Sequence, residues 1–152
     1  MTDVFKLLKA DHDRHRKLLA ALDDMRGDSP ERRELFEAFR IEVSAHANAE
    51  EQSLYAVMLG KPDLQKEGRH SVAEHKEIDD FLEELQEADM ATPEWDATFR
   101  KMKHRYEHHI DEEEEDIFPA AEDALSRACE HEIGEVFAKR KVAEKAEIGA
   151  ES

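Results

Sequence analysis

The segments His46-Ala47-Asn48-Ala49-Glu50 and His109-Ile110-Asp111-Glu112-Glu113 share one pattern, a histidine followed four residues later by a glutamate. Residues four apart lie on the same face of an α-helix, about one turn apart, so each segment can direct an imidazole and a carboxylate toward one centre. The chain reads as helical throughout and places the two segments on different helices. The pattern therefore predicts a metal site in the core of a helical bundle.

Capping residues and breakers divide the sequence into helices. Ser29-Pro30 and Thr92-Pro93 each combine an N-cap residue with a proline at the first helical position. Gly60 is expected to end the helix that begins at Pro30, and Pro119 the helix that begins at Pro93. The predicted helices cover about 3–26, 30–59, 63–90 and 93–118, with a possible early break at Gly68, and a fifth helix follows residue 126. Long helices with short connections predict an all-α, antiparallel up-down-up-down four-helix bundle with an extra C-terminal helix. We expect one domain over 1–152, with the bundle at about 3–118 and a C-terminal helical extension at about 119–148.

The composition excludes several classes of protein. The 152 residues carry a net charge of −17, which disfavours nucleic acid and anionic membranes as partners because both require a basic face. The single cysteine, Cys129, cannot form an intramolecular disulfide and is typical of a reducing compartment. The sequence shows neither a secretory signal nor an apolar run long enough to span a membrane. We therefore expect a cytoplasmic protein.

Each of the four long helices carries an apolar stripe that is interrupted by histidine, and the stripes of helices 2 and 4 also contain a glutamate. Burying a carboxylate in such a stripe costs several kcal/mol unless it is paired or binds a metal. Phase chooses between neighbouring residues: His109 continues the stripe of Trp95 and Phe99, whereas His108 is rotated by about 100°. The same argument prefers Glu50 to Glu51, and Glu113 to both Glu112 and Glu114. Apart from Glu113, it leaves most of the acidic run 111–116 on a solvated face. It also assigns three histidines to the surface, His70, His104 and His131.

Residue counts to the connecting loops place the selected side chains at one level of the bundle. At 1.5 Å per residue, the distances along the helices from the loops match within a turn. A lone histidine on an apolar stripe is more often an ordinary core residue, but six residues in phase and at one level favour a metal site. The predicted metal ligands are His12, His46, Glu50, His75, His109 and Glu113. His15 also lies on a stripe and stays open as an extra ligand, a residue that supports the ligands, or part of the core.

The combined motifs resemble the hemerythrin-like HHE cation-binding domain. They are ADH at 10–12, HANAEEQSLY at 46–55, EH at 74–75 and HHIDEEEEDIFP at 108–119, and the resemblance extends over roughly 3–145. It implies a non-haem di-iron centre in a four-helix bundle. Hemerythrin itself has five histidines, with a His-x-x-x-His on its third helix, whereas this chain has Ser71 four residues before His75, which weakens the case for simple reversible oxygen carriage.

On this resemblance we expect two iron ions, with Glu50 and Glu113 bridging them, two of the four histidines on each, and a solvent-derived oxo or hydroxo group completing the bridge. Zn or Mn are chemically acceptable substitutes. Tyr106, one turn before His109, is expected to hydrogen-bond a bound oxygen species or to act as a seventh ligand.

Three function classes follow. The favoured one is a non-haem di-iron protein that binds O2 or related small oxidants and acts in oxygen or redox sensing, or in iron sensing, storage or handling, without turnover as its main role. The second is a di-iron enzyme that consumes peroxide or responds to nitric oxide. The third is a structural bundle that holds zinc or no metal. The expected ligands are O2, peroxide or nitric oxide, and a sensor would also need a separate protein partner that the sequence does not identify.

Overall fold

The structure is a computed structural model that describes residues 2–151, and every regular element in that range is helical. Helix α1 is Val4–Asp23, and α2 is Pro30–Glu50, which continues through a π-helical turn, Glu51–Tyr55, into Ala56–Leu59. Helix α3 is Gln65–Glu87, and α4 is Pro93–Glu112, which continues through a second π-helical turn, Glu113–Ile117, into Phe118–Ala124. Helix α5 is Arg127–Glu151. The predicted all-α bundle with an extra C-terminal helix is confirmed.

The capping residues act as the sequence predicts. The side chain of Asp3 accepts hydrogen bonds from the backbone N–H groups of Phe5 and Lys6, which satisfies donors that the first turn of α1 leaves free. Ser29 and Thr92 cap α2 and α4 in the same way, each with a proline directly after it. Gly27 has a positive φ of 77°, a conformation that favours glycine, in the turn between α1 and α2.

The expected helix end at Pro119 and the possible early break at Gly68 are both wrong. Pro119 does not end α4, because it is the second residue after the π-helical turn, and the first turn of a helical segment tolerates proline. Gly68 does not break α3 either, which runs through it without interruption. A Cβ at Gly68 would lie 3.3 Å from Cδ2 of Leu59, so the glycine allows a close approach of the two helices at this point.

Two apolar clusters show the antiparallel arrangement and position the site. One cluster joins the start of α1 and the end of α2 to the start of α3, the end of α4 and α5. The other joins the end of α1 and the start of α2 to the end of α3 and the start of α4. Trp95 lies in the second cluster, where its indole N–H donates to the carbonyl of Leu85. The predicted ligands lie in the layer between the two clusters.

Helix α5 packs mainly along α2 and also contacts α1. Its buried residues include Ile133 and Phe137, which belong to the first apolar cluster. Within 2–151, no helix combines the length and the apolar character that crossing a membrane requires.

Candidate metal centre

The structure brings all six predicted ligand residues together in the core. Every long helix of the bundle contributes, and none of the six residues is more than 4% exposed. They are His12 from α1, His46 and Glu50 from α2, His75 from α3, and His109 and Glu113 from α4.

The four imidazoles form two pairs. The rings of His12 and His46 have centroids 5.2 Å apart, and those of His75 and His109 have centroids 4.9 Å apart. One pair therefore comes from α1 and α2, and the other from α3 and α4. This grouping matches the expectation of two histidines for each of two metal ions.

Each glutamate contacts one imidazole of each pair. Oε1 of Glu113 lies 3.3 Å from Nε2 of His12 and 3.1 Å from Nε2 of His109. The two oxygens of Glu50 divide their contacts, with Oε1 3.0 Å from Nε2 of His75 and Oε2 3.7 Å from Nε2 of His46. Both carboxylates thus lie between the pairs, where a bridging ligand would lie.

Several polar atoms of the site are buried without a hydrogen-bond partner among the described residues. They are Nε2 of His12, Nε2 of His46, both carboxylate oxygens of Glu50, and Oε1 of Glu113. Leaving such groups unsatisfied costs free energy, and metal coordination would satisfy all of them. Ligand atoms of Glu50, His75, His109 and Glu113 lie within 4.8 Å of one another, and so do those of His12, His46 and Glu50. The donor set therefore fits two metal ions.

A carboxylate forms a hydrogen bond with Nδ1, the second ring nitrogen, of each imidazole. Each Nδ1 atom lies 2.7 or 2.8 Å from a carboxylate oxygen, so Nε2 faces the centre of the site. Metal-binding histidines commonly donate their second ring N–H to a carboxylate, which fixes the ring and makes it a stronger ligand. The four pairs are His12 with Glu114, His46 with Asp11, His75 with Glu51, and His109 with Glu74.

These carboxylates also raise the pKa of the imidazoles. Burial alone would lower the pKa values, but the carboxylates on both sides of each ring outweigh burial. The pKa values of His46 and His75 rise to about 9, and that of His109 to about 10. Burial would raise the pKa of Glu113, but His109 and His12 hold it well below its usual value. A metal ion at this site must therefore displace protons from the imidazoles.

The π-helical turns bring two aromatic side chains to the site. One turn starts directly after Glu50, and the other starts at Glu113. An aromatic residue lies five residues after each glutamate, Tyr55 after Glu50 and Phe118 after Glu113. The hydroxyl of Tyr55 donates to Oε2 of Glu113, and the ring of Phe118 stacks on His12 with centroids 5.8 Å apart. Burial, with Glu113 and Glu50 nearby, raises the pKa of Tyr55 well above its usual value. Tyr55 is thus a neutral hydroxyl group at the centre.

His15 lies beside the site, and both of its ring nitrogens have partners. Nδ1 is 2.7 Å from the hydroxyl of Tyr106, and Nε2 is 3.0 Å from Oε2 of Glu42. Burial lowers the pKa of His15 to about 4, and its ring contacts that of His46 edge-on. Of the three roles left open for His15, the geometry favours a residue that supports the ligands, because its ring packs against His46. Tyr106 contacts His15 and supports the ligands through it.

Sequence reasoning missed the supporting residues. It assigned Glu114 to a solvated face, but the structure places its carboxylate against His12, so that assignment is wrong. Asp11 and Glu74 were not singled out, and Glu51 was considered only as an alternative to Glu50, although each of the three is adjacent in sequence to a predicted ligand. That adjacency is the signal that could have identified them. His104 and His108 are exposed, as expected for residues off the stripe.

Comparisons with known proteins agree with this description. The family model of the hemerythrin HHE cation binding domain matches residues 3–121. The chain is also similar to the crystal structure of a hemerythrin HHE cation binding domain-containing protein from Mycobacterium kansasii, with 26% identity and a TM-score of 0.85. That match covers 97% of this chain and 90% of the other. A search of curated proteins found no match. The chain therefore belongs to the hemerythrin HHE cation-binding domain family.

Proposed function

We propose that this chain is a non-haem di-iron protein that binds O2 or a related small oxidant and acts in oxygen or redox sensing, or in iron sensing, storage or handling. One observation carries the proposal: Glu50 and Glu113 each contact one imidazole from both histidine pairs. A carboxylate shared in this way suits two adjacent metal ions better than one. The single Cys129 agrees with action in a reducing compartment such as the cytoplasm.

The donor set supports iron. Imidazole and carboxylate ligands suit Fe, Mn and Zn, and of these a pair of iron ions would supply redox chemistry and open coordination positions for a small oxidant. Six protein ligands shared by two ions leave such positions free. Ser71 agrees with this count, since it lies one turn before His75, is fully buried and adds no imidazole to the set of ligands.

The surroundings of the centre would protect it from water. Leu8, Phe39, Val43, Ile78 and Met102 are all buried around the layer of ligands. An apolar shell limits access of solvent and protons, and so slows uncontrolled oxidation of a reduced metal. This environment favours controlled binding of a small, neutral molecule.

Tyr55 favours a second function, consumption of peroxide or a response to nitric oxide. Its hydroxyl proton points at Glu113 inside a buried site, so it can orient that carboxylate and donate a hydrogen bond there. Peroxide chemistry needs a proton donor close to the reacting oxygens. Tyr55 supplies this group without any solvent-exposed residue.

Metal analysis tests the iron assignment. Protein purified anaerobically and loaded with Fe(II) should hold about two irons per chain, in agreement with the two-ion donor set. Mössbauer spectra after oxidation should show a magnetically coupled ferric pair. One zinc per chain with no uptake of iron would refute the di-iron proposal.

Turnover separates the two functions. The iron-loaded protein is mixed with excess peroxide, and O2 release is followed over many turnovers. Stoichiometric reaction that stops after one cycle supports binding or sensing, and sustained release supports the enzyme. If turnover is sustained, Tyr55→Phe should lower its rate while the iron content stays unchanged, because only the hydroxyl group is removed.

A further inference from the structure

A second pair of His-x-x-x-Glu segments lies beside the buried centre. His70 and Glu74 are four residues apart on α3, and His108 and Glu112 are four residues apart on α4. Glu74 is buried and Glu112 is partly exposed, whereas the side chains of His70 and His108 are 50% and 58% exposed. The segment on α4 is shifted by one residue from His109 and Glu113, so α4 presents one such pair to the core and another to the surface.

The side chains of these segments converge. Nε2 of His70 lies 2.5 Å from Oε1 of Glu112 and 3.5 Å from Oε1 of Glu74. The second oxygen of Glu112, Oε2, lies 3.5 Å from Nε2 of His108. Ligand atoms of His70, Glu74 and Glu112 all lie within 4.8 Å of one another. Ligands about 2.0–2.2 Å from a tetrahedral zinc-like ion are roughly 3.4 Å apart, so small side-chain adjustments would bring these three ligand atoms around one ion.

A surface pocket adjoins the cluster and contains further acidic groups. Glu67 and Asp116 line it together with His70 and Glu112. Oε2 of Glu67 is buried and has no hydrogen-bond partner among residues 2–151. The side chain as a whole is partly exposed, but an oxygen removed from water without a partner favours a cation nearby. Lys66 also lines the pocket.

We propose that His70, Glu74 and Glu112 form a second, surface site for one divalent transition-metal ion, with His108, which contacts Glu112, as its fourth ligand. Two imidazoles and two carboxylates from two helices match the ligands and the number that a four-coordinate Zn²⁺ or Co²⁺ site requires. The site is distinct from the buried centre because its two histidines face solvent. Among residues 2–151, they form ion pairs with Glu74 and Glu112 and not with Glu50 or Glu113.

Glu74 connects this surface site to the buried centre. Its Oε1 atom lies 2.8 Å from Nδ1 of His109 and 3.5 Å from Nε2 of His70. A cation bound by Glu74 would draw electron density from that carboxylate and weaken its hydrogen bond to His109. Occupation of the surface site should therefore change the properties of the metal held by His109.

The experiment titrates the metal-loaded protein with Zn²⁺. After core loading and removal of free metal, equilibrium dialysis should show about one additional zinc per chain. Co²⁺ in place of Zn²⁺ should give the visible absorption of a four-coordinate ion. The double variant H70A/H108A should bind the additional ion about tenfold more weakly or worse, while the exposed-histidine control His104→Ala should bind it as the wild type does.

Three results decide the proposal. No additional ion in the wild type, or equal binding by H70A/H108A, would overturn the surface site. Binding without any change in the Mössbauer spectrum of the core irons would overturn the coupling through Glu74. The variant Glu50→Ala, which is expected to lose the core metal, should still bind one Zn²⁺ at the surface, so failure of the di-iron proposal and failure of this proposal give different results.

Discussion

The carboxylates that hydrogen-bond to the imidazoles are arranged in the same way around the whole bundle. Each is adjacent in sequence to a ligand of its own helix, but it holds the imidazole of another helix. Since each contact joins two helices, the hydrogen bonds fix both the rings and the spacing of the bundle. In order, Asp11 of α1 holds His46 of α2, Glu51 of α2 holds His75 of α3, Glu74 of α3 holds His109 of α4, and Glu114 of α4 holds His12 of α1.

Helical phase predicted which residues converge, but it could not predict their partners. His109 and Glu113 could be chosen over their neighbours because the apolar stripe defines one direction, toward the core. Glu114 lies about 100° from that direction, and only the position of α1 shows that His12 is within its reach. Contacts at the boundary between two helices depend on the packing of both, which one stripe does not contain.

Glu114→Gln should weaken metal binding by about 10- to 100-fold. The amide keeps the size of the side chain but loses the charge that stabilises the N–H group of His12 at Nδ1. The measurement is a competition titration with a chelator. The control is Glu115→Gln, one residue further along the same π-helical turn, where the side chain is exposed. Equal loss of affinity in both variants would contradict the role of Glu114.

Glu50→Ala and Glu113→Ala should each remove most of both metal ions, because each carboxylate lies between the histidine pairs. His46→Ala should cost less, since it removes one nitrogen from one pair. Metal content per chain after gel filtration gives the comparison, with His104→Ala as an exposed control. Loss of a single ion in the Glu113 variant would show that this carboxylate does not bridge.

At the scale of whole elements, the π-helical turns explain a residue that phase arguments missed. In an α-helix, residues five apart are rotated by about 140°, whereas in a π-helical turn this rotation is much smaller. Tyr55 therefore lies on the same side as Glu50, although a regular helix would turn it away. Phe118 has the same relation to Glu113. The extra residue in each turn cannot be read from an α-helical pattern, so the sequence predicted the ligands and not these aromatic neighbours.

Helix α5 supports one half of the centre. Nζ of Lys141 lies 2.8 Å from Oδ1 of Asp11 and 2.9 Å from Oε2 of Glu42. Asp11 in turn holds His46, and the ring of Phe137 packs edge-on against the same imidazole with centroids 5.4 Å apart. The family match ends at residue 121, so this support comes from a helix outside the matched segment.

Lys141→Met should selectively weaken the metal held by His12 and His46. The variant keeps the aliphatic chain but removes one of the two cations that Asp11 and Glu42 share, the other being Arg14, so Asp11 positions His46 less firmly. Chelator-driven release should become biphasic, with one ion leaving about tenfold faster than in the wild type. Lys139→Met, exposed on the same helix, is the control. Equal acceleration of both ions would indicate a general loss of stability instead.

At the scale of the whole molecule, a polar layer separates two apolar clusters. Four imidazoles and two carboxylates occupy the middle of the bundle, and the two clusters seal it from both ends. Counting residues from the loops predicted this level, because helix rise is constant and the connections are short. The contact of α5 with the layer could not be predicted in this way, because a helix after the fourth can pack on several faces of a bundle.

The polar layer makes the stability of the fold depend on both pH and metal. Without metal, the carboxylates favour protonated imidazoles, and the pKa values of His46, His75 and His109 are about 9 to 10. Their contribution to stability is fully present below the unfolded pKa of about 6.5 and is lost as the pH rises through 9 to 10. The metal-loaded protein has the opposite dependence, because only neutral imidazole binds metal and binding therefore strengthens as the pH rises.

The difference in melting temperature between metal-loaded and metal-free protein should therefore widen from pH 6.5 to pH 9. Metal bound only by the folded state adds about 4 kcal/mol when free metal is a thousandfold above its dissociation constant, and acid below about pH 6 should release it. Differential scanning calorimetry of both forms over this pH range gives the measurement. A chelator that removes the metal without moving the transition, or a difference that stays constant with pH, would mean that the imidazoles are ordinary core residues. A widening difference would mean that metal and protons compete for the same four nitrogens.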